Sequence, residues 1–132
     1  MLALFLISIG ILGLASLQPS AWRLSGRSDY LGRAAGILQN QLEANEMLLM
    51  NPSYPNPCTL SNPVVTSTWN EYTSGKTQPQ QGDATFTVQR TITYNSTDNN
   101  WLVRIRVTWP NNTTGISETT LVGQQASFLP RQ

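Results

Sequence analysis

The residues that could do chemistry are few. The chain carries seven carboxylates, one cysteine and no histidine among 132 residues. Without histidine, the commonest general base and metal ligand is missing. Cys58 has no second thiol with which to close a disulfide and no Cys/His companions for zinc. It reads as a small buried residue. Glu43 and Glu46 fall three apart on one helical face, and that spacing reads as a solvated surface rather than an acid/base pair. No serine has a histidine partner, and no glycine-rich phosphate loop appears. These residues predict a non-enzymatic protein with no catalytic, cofactor-binding or metal-binding residues.

Aromatic and basic side chains could instead bind a partner. Trp69, Tyr72, Tyr94, Trp101 and Trp109 could stack sugars or bases. Trp101 and Trp109, however, share one phase of an alternating strand, which places them in a core. Arg104 and Arg106 occupy the other phase, with Lys76 a further cation. Two or three cations on a chain of net charge +1 would give DNA binding that is weak and salt-sensitive. No nucleic-acid partner is expected, and a solvated sheet face is the better reading of Arg104 and Arg106.

The elements that must position these residues divide the chain in two. All 15 threonines and all six valines follow Cys58, whereas twelve of the sixteen leucines precede it. Leucine favours helix and the β-branched residues favour strand, so the fold class is α+β. Charged residues are only 11% of the chain, below the roughly 25% usual for soluble domains. Residues 1–18 form an apolar helix half: Met1 to Leu17 contain no charge, and their only polar side chains are Ser8 and Ser16. Residues 19–50 form an amphipathic half. Leu24, Leu31 and Leu38 recur every seven residues, with Ala35, Leu42 and Leu49 filling the seam and Ser28 and Asn45 as its polar members. That stripe is expected to cover a sheet, and Pro19 is expected to kink the helix.

Residues 51–63 form a connector with four prolines in thirteen positions. Residues 64–132 read as an antiparallel sheet. Trp101, Val103, Ile105, Val107 and Trp109 alternate with Leu102, Arg104, Arg106 and Thr108, and Phe86, Val88, Ile92 and Tyr94 alternate with Thr85, Thr87, Gln89, Thr91 and Thr93. Asn95–Asn100 would close a hairpin, and Pro110–Gly115 would lead to a weaker strand around Glu118–Val122. A further strand is expected over Val64–Trp69. Arg90 interrupts the apolar phase of its strand, which predicts either a bulge or a carboxylate partner such as Glu118.

The opening run, Ser8-Ile-Gly-Ile-Leu-Gly-Leu-Ala15 followed by Leu17-Gln18, resembles the mature N-terminal segment of type IV pilins. It is most similar to that of minor pilins of the PilV kind. Ala34–Pro52 is similar in character to the second helical half of such proteins, and the strand ending in Val107-Thr-Trp109 resembles their late strand. The resemblance implies a pilin-like fold, in which a long kinked N-terminal helix packs its amphipathic half on a small antiparallel sheet. The family's basic leader, its cleavage glycine and the Gly-Phe-Thr-x-x-Glu segment have no counterpart here. Aligned on the motif, they would precede Met1 and would lengthen the apolar run enough to span a membrane.

What the resemblance implies is a minor pilin that initiates or assembles a pilus, or that serves as a tip or surface subunit. Its partners would be other major and minor pilins and the inner-membrane assembly machinery. Its location would be the bacterial inner membrane, as a single-pass protein with a periplasmic head, and then the pilus. Leu2, Leu4, Leu6, Ile9, Gly10, Gly13, Leu14 and Leu17 would pack the filament or membrane helix, with Gly10, Gly13 and Ser16 allowing close approach. Leu24, Leu31, Ala35, Leu38, Leu42 and Leu49 would pack helix on sheet. Arg23, Arg27 and Arg33 follow the apolar run, and by the positive-inside rule they would place that side in the cytoplasm. The family's opposite orientation is therefore expected to depend on its leader. Two alternatives remain open on the sequence: a minor pseudopilin of a type II secretion system, and a secreted β-rich binding domain behind a cleaved signal peptide.

Overall fold

Four hydrogen-bonded strands in simple sequence order follow one long helix. The computed structural model describes residues 2–51, 53 and 55–123, without the side chains of residues 2, 4–6, 14–17 and 19–23. Helix α1 spans Leu2–Met50, and strands β1 to β4 span Val64–Tyr72, Thr85–Asn95, Asn100–Trp109 and Asn112–Gly123. The chain divides into two compact units, residues 1–32 and 33–132, and each is described by itself.

The first unit is helical because it is built from leucine, alanine and isoleucine with no valine or threonine. The helix assignment is continuous through Pro19. Ile9, Gly10 and Gly13, expected to pack in a filament or membrane, are exposed. The side chains of Leu2, Leu4, Leu6, Leu14 and Leu17 lie outside the described residues. A membrane half was expected at residues 1–18; among the described residues, no helix is long and apolar enough to cross a membrane. Seventeen helical residues rise about 26 Å against a hydrocarbon core of about 30 Å. Leu24 and Leu31, expected in the helix–sheet seam, are 72% and 49% exposed.

In the second unit, residues 33–50 of α1 lie over one face of the sheet. The buried stripe is Ala34, Leu38, Leu42, Asn45 and Leu49. Leu38, Leu42 and Leu49 thus sit where the seam placed them, whereas Ala35 is exposed and Ala34 is buried in its stead. Ala34 lies one i,i−4 step from Leu38, on the same side of the stripe as the buried Asn45. Asn51 ends the helix by accepting the Ser53 N–H at 3.0 Å, with a proline next in sequence.

The sheet is an antiparallel meander of order β1-β2-β3-β4. Its covered face buries Phe86, Val88 and Ile92 of β2, Trp101, Val103, Ile105 and Val107 of β3, and Val122 of β4. Trp109, expected in that core, is only half-buried at the end of its strand. The expected edge strands are both longer than the sequence suggested. The second hairpin is also tighter: β4 begins at Asn112, directly after Pro110 and Asn111, and Asn111 has φ 66°. The surplus residues form a register shift between Val107 and Trp109. There Gly115 takes φ +62°, and a Cβ at that position would run into the Val107 carbonyl oxygen. Only glycine fits such a close approach.

Candidate functional site

Among the described residues, side-chain bonds tie helix α1 to the strands beneath it. Gln41 Nε2 donates to Glu71 Oε1 of β1 at 2.8 Å, Arg90 of β2 donates to Asn45 Oδ1 at 3.0 Å, and Thr120 Oγ1 of β4 donates to Glu46 Oε1 at 2.9 Å. The central bond matters most because Asn45 is 3% exposed. Both ends of its amide are bonded, since Nδ2 also donates to the Gln41 carbonyl at 2.6 Å.

Arg90 corrects the sequence expectation twice. The register of β2 with both neighbours is continuous through it, so no bulge forms there. Its acceptor is the Asn45 amide rather than the Glu118 carboxylate. Glu118 pairs with Ile105, one strand further from Arg90, and is exposed. A second guanidinium nitrogen reaches Ser67 Oγ at 3.4 Å, and the Arg90 Cζ lies 5.9 Å from the Trp69 ring centroid. Trp69 in turn donates its indole N–H to Glu71 Oε1 at 3.1 Å. Arg90 Nε is buried without a hydrogen-bond partner. This cluster uses a cation–π contact and neutral acceptors to hold a charge at a helix–sheet junction. Its bonds fix how residues 33–50 sit on the sheet.

Glu46 therefore has a bonding role that its spacing from Glu43 did not reveal. Glu43 stays exposed and accepts from Gln39 Nε2 at 3.0 Å. Asn56 was absent from the sequence expectations, yet its side-chain oxygen accepts both the Trp101 indole N–H and the Cys58 N–H at 3.0 Å. A buried tryptophan needs such an acceptor, and the Asn-rich connector was the available signal. Cys58 is buried, with Sγ 3.7 Å from the Ile92 carbonyl oxygen, and burial pushes its thiol up from the ordinary value. In the 73–84 loop, Asp83 accepts from the Thr73 and Ser74 hydroxyls and from the Ser74 and Gln80 N–H groups, at 2.6–3.0 Å. The Ser74 hydroxyl first, and then the Gln80 N–H, hold its carboxyl below the usual range.

The other sheet face is open. Cross-strand pairing sets out its rows: Val64–Thr93–Leu102–Leu121, then Thr66–Thr91–Arg104–Thr119, then Thr68–Gln89–Arg106–Ser117. Arg106 donates to the Thr113 and Thr114 carbonyls at 2.8 and 3.2 Å. Arg104 is exposed and makes no hydrogen bond or ion pair among the described residues. Gln89, Thr91, Arg104 and Arg106 line a shallow groove. The structure thus puts Arg104 and Arg106 side by side on one face, as the strand period predicted, while Lys76 is exposed in the separate 73–84 loop. Comparison with protein-family models, curated proteins and solved structures finds no match for this chain.

Proposed function

We propose that the chain is a minor pilin of a type IV pilus, acting without catalysis in pilus assembly or initiation, or as a tip or surface subunit. In this reading the protein is held in the bacterial inner membrane with its head in the periplasm, and then enters the filament. Its partners are other major and minor pilins and the assembly machinery. The observation that carries the reading is the Ser8–Gln18 run on helix α1, a helix whose residues 34–49 cover one face of an antiparallel meander. An uncharged run over residues 1–17 bearing Gly10 and Gly13 suits lateral packing among apolar helices, because small residues allow close approach. A covalently continuous sheet-bearing head gives each subunit a surface to display.

Fractionation of the native host tests this proposal. The chain is expected in the membrane fraction and in pili sheared from the cell surface, and deletion of its gene is expected to reduce pilus number. Recovery only as a detergent-free periplasmic or extracellular protein would replace the proposal with a secreted β-rich binding domain. Unchanged piliation together with loss of type II secretion would replace it with a minor pseudopilin.

A further inference from the structure

The open sheet face has an apolar row beside a cationic one. Val64, Leu102 and Leu121 are all exposed, Leu121 by 64%, and pairing aligns them across the sheet with Thr93 between. The next two rows hold Arg104 and Arg106 and no carboxylate. Leu102 and Leu121 are direct neighbours in this row, and exposed apolar side chains gathered on one face offer a partner a place to dock. Its occupant must bring apolar side chains, with an acidic group one step along the strand direction.

The chain itself carries the complement. On the flank of helix α1 turned away from the sheet, Gly36, Gln39, Glu43, Met47 and Met50 recur at helical spacing and are all exposed, Met47 by 74%. Along the helix, Glu43 and Gln39 lie about 6 and 12 Å from Met47. Along β3, Arg104 and Arg106 lie about 7 and 13 Å from Leu102. With the helix laid along the strand, Met47 and Met50 meet Leu102 and Leu121, Glu43 meets Arg104, and Gln39 meets Arg106 and Gln89. Methionine adapts its shape to such a surface, and Gly36 leaves room for the helix to approach.

We infer that the open sheet face docks the Glu43–Met47–Met50 stripe of a second copy of this chain. The two surfaces lie on different sides of the head, so the contact is heterologous, and repetition would make a ring or an open-ended assembly. The chain could then occur in repeated positions rather than singly. The inference stands on surface chemistry and does not depend on the pilus reading.

Cross-linking of the full chain in detergent tests it. Copies bearing Met47→Cys, with a size tag, are mixed with copies bearing Leu102→Cys; native Cys58 is buried, and the unsubstituted chain supplies the background. The tagged–untagged product is expected to exceed that from Leu48→Cys, about 100° around the helix, mixed with Leu102→Cys. Arg104→Glu in the Leu102→Cys copy is expected to lower the yield about fivefold, the scale of one surface ion pair. Glu43→Arg in the tagged copy is expected to restore it, a rescue that a misfolded variant could not show. Equal yields from the Met47 and Leu48 flanks, or no rescue by the charge swap, would overturn the inference. If Arg104→Glu leaves cross-linking unchanged and instead weakens binding to phosphatidylglycerol vesicles, the occupant is a lipid surface and not a second copy.

Discussion

The two faces of the sheet come from the same four strands yet have opposite chemistry. On β3, Trp101, Val103, Ile105 and Val107 are buried beneath the helix, while the intervening Leu102 and Arg104 are exposed. The covered face holds one cation, Arg90, and surrounds it with Asn45, Ser67 and the Trp69 ring. The open face leaves Arg104 exposed among threonines and glutamine. Threonine keeps the β-branched shape that suits a strand without adding a large apolar surface, so the open face can stay solvated until a partner covers it. Stability is thus concentrated on one side and the capacity for contact on the other.

That contrast can be broken most severely from the helix side. Leu42→Ala removes a buried side chain over the sheet and is expected to cost about 2–5 kcal/mol, measured by urea denaturation of the full chain. Gly115→Ala should cost about 1–3 kcal/mol, because it forces a side chain into a left-handed backbone conformation against the Val107 carbonyl. A loss below the error of the same titration would contradict the bulge geometry. Asn45→Ala strips Arg90 of its closest acceptor and is expected to cost about 1–3 kcal/mol. Asn45→Leu combined with Arg90→Met should recover most of that loss, since an apolar pair leaves no polar group unpaired. A double variant no better than Asn45→Ala would show that the polar cluster contributes more than placement.

The mildest perturbation is acid acting on the 73–84 loop. Asp83 titrates lower in the folded chain than in the unfolded one. Its stabilising contribution is therefore present above the ordinary aspartate range, near pH 4, and is lost as pH falls through the lower folded value. Amide exchange at Ser74 and Gln80 should rise in that acid window. In Asp83→Asn the added loosening should disappear, and persistence of it would assign the effect to another group.

Much of the covered face was legible because alternation is a direct record of burial. The phases of β2 and β3 and the turn between them follow from period two alone, and Leu38, Leu42 and Leu49 follow from helical spacing. What was hidden depended on partners distant in sequence. Nothing near Arg90 announces Asn45, 45 residues away, or Asn56 as the acceptor for Trp101. The heptad also runs through Leu24 and Leu31, which are exposed, because a repeat records a stripe but not the length of the surface it covers. The apolar row on the open face did leave a signal: Leu102 and Leu121 are large apolar residues on the polar phase of their strands. Pairing was needed to bring them into one line with Val64.

The division of labour between the faces is tested most directly by the unfolding free energies of two adjacent β3 variants in the full chain. Ile105→Ala should lose about 2–5 kcal/mol, since Ile105 is fully buried. Arg104→Ala, one residue away on the open face, should stay within about 0.5 kcal/mol of the parent. Comparable losses at both positions would show that the open face carries part of the fold, and would contradict the separation of stability from contact.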